Sequence, residues 1–174
     1  MRQLYVGCYR LRRVAAIAGA ICFLAYWHEP TDTQSQARLD RITGRAWIID
    51  GDSLEINGRK IRLWGIDAVE LQQTCTVNNR PWACGKIAQK VLRNVIADAP
   101  LTCIARDIDR YGRTVAECFL GSGSSINATM VERGWALAYR RYTEQYLPHE
   151  DRARMRKLGI WQSSFVAPWE WRKR

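Results

Sequence analysis

The run from Ile48 to Glu70, I-I-D-G-D-S-L-E-I-N-G-R-K-I-R-L-W-G-I-D-A-V-E, constrains the fold of this chain more than any other. Two short alternating segments, Ser53 to Ile56 and Lys60 to Ile66, flank Asn57-Gly58. A type I′ hairpin turn needs positive φ at both central residues, and an Asn-Gly pair accepts it most readily. Closing the hairpin there carries Asp50 and Asp52 toward Asp67 and Glu70, with Arg62 on the returning strand. Carboxylates gathered in this way repel one another unless a cation or a proton lies among them. The run therefore predicts a divalent metal site beside an arginine able to hold an anion.

The wider composition favours a polyanionic partner. With 27 Lys+Arg against 17 Asp+Glu, the 174-residue chain carries a formal charge of +10. Such a surface suits nucleic acid or an anionic membrane face. Eight Trp and seven Tyr supply enough aromatic surface for a core, and the length fits one domain with tails.

Arg2, Arg10, Arg12 and Arg13 precede an uncharged apolar run from Val14 to Trp27. A basic stretch followed by a short apolar one is the pattern of an export signal. Ala18-Gly19-Ala20 matches a cleavage site but lies inside the apolar run. Residues 1–27 are thus expected to be a signal peptide or an uncleaved inner-membrane anchor, and the protein periplasmic or secreted. Residues 28–40 are polar and aperiodic and read as a linker.

Export agrees with the cysteines. Cys75, Cys84, Cys103 and Cys118 fall in the domain, and four cysteines allow three pairings. Cys75 and Cys84 bracket a loop containing Asn78, Asn79 and Pro81, where a local bridge is plausible. Cys103 and Cys118 lie on strand-like runs either side of Arg110-Tyr111-Gly112, where cross-strand partners meet. Zinc is the rival reading, but there is no C-x-x-C pair and His28 and His149 lie outside the cluster.

Taken in order, Ile42 to Ile49 reads as a strand, followed by the hairpin and a long loop from Ala68 to Cys84. Lys86 to Ala97 places Ile87, Val91, Leu92, Val95 and Ile96 at helical spacing. Leu101 to Ala105 and Thr114 to Leu120 form a second strand pair. Ser124 or Ser125 caps a helix that runs to about Arg133 and ends at Gly134. Pro148 to Leu158 gives a third helix. Five short strands and about three helices fit an α+β fold built on a small Greek-key barrel of the OB type, spanning residues 41–162. The basic tail, residues 163–174, is expected to be unstructured, with P-W-E-W-R-K-R as a basic aromatic contact in the alternative.

The series D-G-D-S, R-L-W-G-I-D-A-V-E, D-I-D-R-Y-G-R and G-I-W, in this order, resembles the staphylococcal nuclease-like (thermonuclease) family over residues 41–162. The resemblance implies an OB barrel with three helices and a calcium-dependent phosphodiesterase that cuts DNA and RNA. It implies Asp52 and Asp67 as calcium carboxylates, with the backbone carbonyl of Ala68 as a further ligand. Arg62 and Arg113 would hold phosphate and Glu70 would activate water; Tyr111, Tyr139 and Tyr142 would contact the nucleotide. The four cysteines resemble an exported proteobacterial branch, some of whose members bear names from succinoglycan gene clusters. Where the family has T-P-E, this chain has Ala68-Val69-Glu70, so a rigid proline turn before Glu70 is absent.

The chemistry suits such a site. Hydroxide attack on a phosphodiester is opposed by charge, and an oxygen-ligated calcium ion with two arginines opposes that repulsion. An arginine presents a planar fork that stays charged at any relevant pH. Two other readings are a catalytically silent OB module that binds nucleic acid or oligosaccharide, and a cell-envelope accessory protein of exopolysaccharide biosynthesis. A monomer is expected in each case.

Overall fold

The structure, a computed structural model, describes residues 40–174. The expected leader, and the linker up to residue 39, lie outside the described residues. Among the described residues there are ten short strands: β1 (Arg41–Gly44), β2 (Ala46–Ile48), β3 (Ser53–Ile56), β4 (Arg59–Leu63), β5 (Ile66–Ala68), β6 (Cys75–Val77), β7 (Arg80–Trp82), β8 (Leu101–Ile108), β9 (Thr114–Leu120) and β10 (Ala136–Ala138). Four α-helices accompany them: α1 (Cys84–Ile96), α2 (Ile126–Glu132), α3 (Leu147–Met155) and α4 (Pro168–Trp171).

The main sheet runs β1-β8-β9-β4-β3-β2, with β4 and β9 parallel and its other pairs antiparallel. Its two edges, β1 and β2, are separated in sequence only by Arg45. One residue cannot span a flat six-stranded sheet, since neighbouring strands are about 4.8 Å apart. The sheet therefore curls until its edges meet, giving the nearly closed OB-type barrel of an α+β fold. The strand expected over residues 42–49 is broken in two at Arg45, so five expected strands become six.

The Asn57-Gly58 turn forms as expected, with φ of 51° and 77°. It fixes a register in which Ser53 faces Arg62 and Leu54 faces Ile61. Leu54, Ile56, Ile61 and Leu63 point into the barrel and are essentially inaccessible, while Arg62 between them faces outward. Ile66, Leu92, Leu101, Ile126 and Met130 complete the same core. Full burial of each such side chain contributes about 1.5–3 kcal/mol.

Helix α1 starts two residues before the expected Lys86. Its buried stripe is Cys84, Ala88, Leu92 and Ile96, whereas Ile87 is 38% exposed. Ser125 caps α2, its side chain accepting from the Ala128 N–H at 3.2 Å, and Gly134 follows with φ 74°. The stretch read as one long loop, Ala68 to Cys84, begins at the last residue of β5 and contains a second hairpin, β6–β7, turning at Asn78-Asn79 with φ of 50° and 58°.

Both local cysteine pairings are present. Cys75 is bonded to Cys84, and Cys103 to its register partner Cys118. The tail departs from expectation because it is folded. Thr76 and Ser164 exchange two backbone hydrogen bonds at 2.9 and 2.8 Å, and helix α4 follows. Pro168 at the first turn favours that short helix, since its missing N–H has no intrahelical partner there anyway.

Candidate active site

The β3–β4 hairpin and the β5–β10 ribbon bring the acidic corner together. Asp52 precedes β3, Arg62 lies across from Ser53, and Asp67 is the middle residue of β5, paired with Leu137. Arg62 bridges the two aspartates, Nη1 to Asp52 Oδ1 at 3.3 Å and Nη2 to Asp67 Oδ1 at 2.6 Å. Asp52 Oδ2 also accepts from the Ala68 N–H at 2.8 Å, and Asp52 Oδ1 from Ser53 Oγ at 3.0 Å. Both aspartates are buried. Burial pushes the Asp52 carboxyl up to about 7, against the opposing pull of Arg62. The two buried aspartates flanking Arg62 in turn push its guanidinium up, against its own burial.

Close backbone packing makes this corner possible. A Cβ on Gly51 would stand 2.7 Å from the Ala68 Cβ and 3.1 Å from that of Ala88. The D-G-D turn therefore needs its glycine to lie against β5 and α1. Asp50 takes a different part from its neighbours, its Oδ1 accepting from the Asp52 N–H at 3.0 Å as a turn residue.

Glu70 follows β5, and without the family's proline its main chain is held by other contacts. Its N–H donates to Gln73 Oε1 at 3.1 Å, and its carbonyl accepts from the Gln73 N–H at 2.8 Å. Gln73 is fully buried and its amide also donates to the Val166 carbonyl at 2.6 Å, tying this turn to the C-terminal segment.

Arg113 enters from the turn between β8 and β9. Asp109 orients it, Oδ2 accepting from Arg113 Nε at 2.7 Å and Oδ1 from the N–H groups of Tyr111 and Arg113. Burial works against ionisation of Asp109, but the Arg113 backbone and side-chain bonds together hold it below the usual carboxylate range. Arg113 Nη1 reaches Ser53 Oγ at 3.5 Å, close to the acidic corner. The exposed Tyr111 ring carries the Arg110 and Arg113 guanidiniums at 4.9 and 5.6 Å.

One cleft of about 1100 Å³ takes in Asp52, Arg62, Ala68, Glu70, Tyr111, Arg113, Tyr139 and Tyr142. Every expected site residue except Asp67 lines it, and Asp67 lies directly beneath, paired to Arg62. Tyr139 follows β10, its N–H bonded to the Gly65 carbonyl at 2.9 Å, and its ring lies 5.3 Å from that of Tyr142. Lys60, Arg110, Arg141 and Lys173 add positive charge along the cleft.

The C-terminal segment contributes two residues that the sequence reading left out. Trp169 stands 5.9 Å from the Tyr139 ring, tilted by 39°. Arg172 donates to Asp67 Oδ1 and Oδ2 at 3.0 and 2.7 Å and to Glu70 Oε1 at 2.6 Å. These hydrogen bonds, those to Asp67 first, push the Arg172 guanidinium up. In the sequence both residues belong to the basic aromatic P-W-E-W-R-K-R tail, weighed there only as the alternative to an unstructured end.

The donor set suits a hard cation. Asp52, Asp67 and a main-chain carbonyl offer only oxygen, and no cluster of three or more His, Cys, Asp and Glu with metal-holding geometry occurs among the described residues. The two buried carboxylates are paired with the guanidiniums of Arg62 and Arg172, as buried negative charge requires. Few protein ligands leave coordination positions for water and a phosphate oxygen, as calcium tolerates.

The family model described as staphylococcal nuclease homologue matches residues 60–163. The succinoglycan biosynthesis protein ExoI of Rhizobium meliloti (strain 1021) is 32% identical over 136 residues, covering 75% of this chain and 70% of its own. An uncharacterized endonuclease of Escherichia coli O157:H7 is 33% identical over 134 residues, covering 73% and 82%. A micrococcal nuclease of Shigella flexneri is 30% identical over 143 residues, covering 72% and 77%.

Proposed function

The chain belongs to the staphylococcal nuclease family, and on that premise we propose that it is an exported, calcium-dependent endonuclease hydrolysing phosphodiester bonds of DNA and RNA. The observation that carries this reading is the convergence of Asp52, Asp67, Arg62, Glu70 and Arg113 on one basic cleft with tyrosines along it. A barrel that merely bound a polyanion would gain nothing from buried carboxylates at the point of contact. Relatives named as an endonuclease and a micrococcal nuclease support the same activity.

In this reading Asp52, Asp67 and the Ala68 carbonyl hold calcium, which when bound supplies Lewis acidity toward a phosphate oxygen and a template for water. Arg62 approaches the phosphate from strand β4 and Arg113 from the turn between β8 and β9. Their paired N–H groups meet its oxygens as negative charge grows on five-coordinate phosphorus, stabilising the transition state more than the ground state. Glu70 takes the proton of the attacking water through its carboxylate. Water's oxygen bonds to phosphorus, the P–O bond to the leaving nucleotide breaks, and the leaving oxygen collects a proton from solvent. Tyr111, Tyr139 and Tyr142 stack on or flank the nucleotides, a contact that every base offers. This makes cleavage tolerant of base sequence.

Export is part of the proposal. It rests on the basic leader with its apolar run, and on two disulfides of a kind that persist in oxidising compartments. Fractionation with N-terminal sequencing distinguishes a released periplasmic protein from one tethered through residues 14–27. A cytosolic protein beginning at Met1 would overturn both.

The function is tested by incubating the purified protein with single-stranded DNA and with RNA, in calcium and in a chelator. Calcium-dependent cleavage of both is expected. Binding without cleavage would leave the silent OB module. The relative named for succinoglycan biosynthesis favours a second reading, an accessory role in polysaccharide production at the cell envelope. That role would stand alone only if neither nucleic acid were cut.

A further inference from the structure

Arg172 reaches across 105 residues of chain to Asp67 and across 102 to Glu70. It follows directly on helix α4, beyond the stretch matched by the family model. Asp67 is completely buried, and both its oxygens accept from guanidinium groups. Arg62 takes Oδ1 from within the sheet, with 14% of its side chain exposed. Arg172 takes Oδ2 as well as Oδ1 from the open side of the cleft, with 40% exposed. Of the two partners, Arg172 is the one that can leave without disturbing the barrel.

The segment that delivers Arg172 is firmly attached. Ser164 is paired with Thr76, the Val166 carbonyl accepts from buried Gln73, Pro168 is buried, and the Trp169 ring stands beside that of Tyr139. A guanidinium on so short a tether has a high effective concentration at the carboxylates it faces. Its planar fork fits the two Asp67 oxygens together, as a single point charge does not.

We propose that Arg172 is a positioning residue of the cleft, a tethered counter-cation that occupies Asp67 and Glu70 until a divalent cation displaces it. This rests on the metal reading given above. The same Asp67 oxygens serve the guanidinium and the metal, so the two exclude each other there. Apparent metal affinity is then lowered by the fraction of molecules in which Arg172 is in place. Displacement also releases the Glu70 carboxylate, so filling the metal seat and freeing the proton acceptor become one event. The released guanidinium remains beside a cleft built for a polyanion.

Calcium binding to the full protein, followed by calorimetry without substrate, tests this directly. Arg172→Gln should bind calcium about tenfold more tightly than the wild type, the effect of removing a competitor that holds roughly nine molecules in ten. Arg172→Lys should fall between them, because it keeps the charge and loses the fork. Arg174→Gln removes the same charge from a side chain that lies over Trp171 and should shift affinity less than about twofold. Thermal melts give a second readout. Without metal Arg172→Gln should melt below the wild type, and calcium should raise its Tm by more. If Arg172→Gln does not fold without metal, Arg172→Lys carries the comparison. Wild-type binding that Arg172→Gln leaves unchanged or weakens would overturn the proposal alone. No calcium binding by any of the proteins would overturn it together with the metal reading.

Discussion

Gly85, at the second position of helix α1, lies so close to the main chain of Glu70 that a Cβ there would overlap the Glu70 carbonyl oxygen. The Gly85 N–H donates to the Gln73 carbonyl at 3.2 Å, closing the turn that begins at Glu70. This packing, with Gln73, holds the turn in a chain that has Val69 immediately before Glu70. Gly85→Ala should therefore push Glu70 away from the cleft. A displacement of about 1 Å lowers kcat by roughly 10²-fold, and overpacking lowers stability by about 1–3 kcal/mol. Rates measured well below the variant's own Tm separate the two effects. An unchanged kcat would show that Glu70 is not held by this contact.

The neighbouring carboxylates should fail in different ways. Asp52→Asn or Asp67→Asn removes a charged ligand, so more calcium should be needed for half-maximal activity. Glu70→Gln removes no calcium ligand but frees Arg172 of one anchor, so calcium affinity should hold or rise while kcat falls by roughly 10² or more, the usual contribution of a positioned proton acceptor. Arg62→Lys loses the double bridge to Asp52 and Asp67 as well as the phosphate fork. Its rate should fall further than its substrate affinity. Calcium titrations of the rate for all four variants test the scheme. Full activity of Asp52→Asn at low calcium would place the active site elsewhere.

What could be read in the sequence was local. Asn57-Gly58 dictates its own turn, and a period of two then puts Ile61 and Leu63 inside and Arg62 outside. That register carries Asp52 and Arg62 into one corner, and the pairing of β5 with β10 brings Asp67 to it. The second hairpin was missed because Asn78-Asn79 lies between strands of three residues each, too short to show alternation. Strand β10, with three residues, is stabilised by pairing with β5 and has no periodic signal of its own. The helix α1 stripe was read from its bulkiest residues, yet Ile87 is exposed and the disulfide-bonded Cys84 is buried. The contact of Arg172 with Asp67 spans most of the domain, and no short-range pattern encodes it.

Asp109 provides a test in pH. Its carboxyl is held below the usual range, so its charged form stabilises the fold above the unfolded-state value near 3.9. That contribution is lost as pH falls through the lower folded value. Asp109→Asn should then melt below the wild type at pH 6, with the gap closing as pH falls below about 4. Because Asp109 aims Arg113 by a 2.7 Å bond, the variant should also lose kcat across the whole working range. Parallel melting curves and rates between pH 3 and 8 check both. A gap that widens toward low pH would contradict this assignment.

The two disulfides should separate stability from activity. Cys103–Cys118 joins neighbouring strands β8 and β9 inside the main core, and neither cysteine lines the cleft. Restricting the unfolded chain over a separation of 15 residues contributes about 3 kcal/mol. Replacing both of these cysteines with Ala should lower Tm and leave kcat unchanged while the protein is folded. Cys75–Cys84 spans 9 residues and secures the start of α1, one residue before the Gly85 that supports Glu70. It also lies next to Thr76, which anchors the C-terminal segment through Ser164. Its double Ala variant should therefore lose about 2–4 kcal/mol and kcat as well, since both supports of the cleft loosen together. Peptide mapping under non-reducing conditions confirms the pairing, and melts with rates on the two double variants decide the roles. Equal retention of kcat in both would mean that the β6–β7 hairpin does not hold the site.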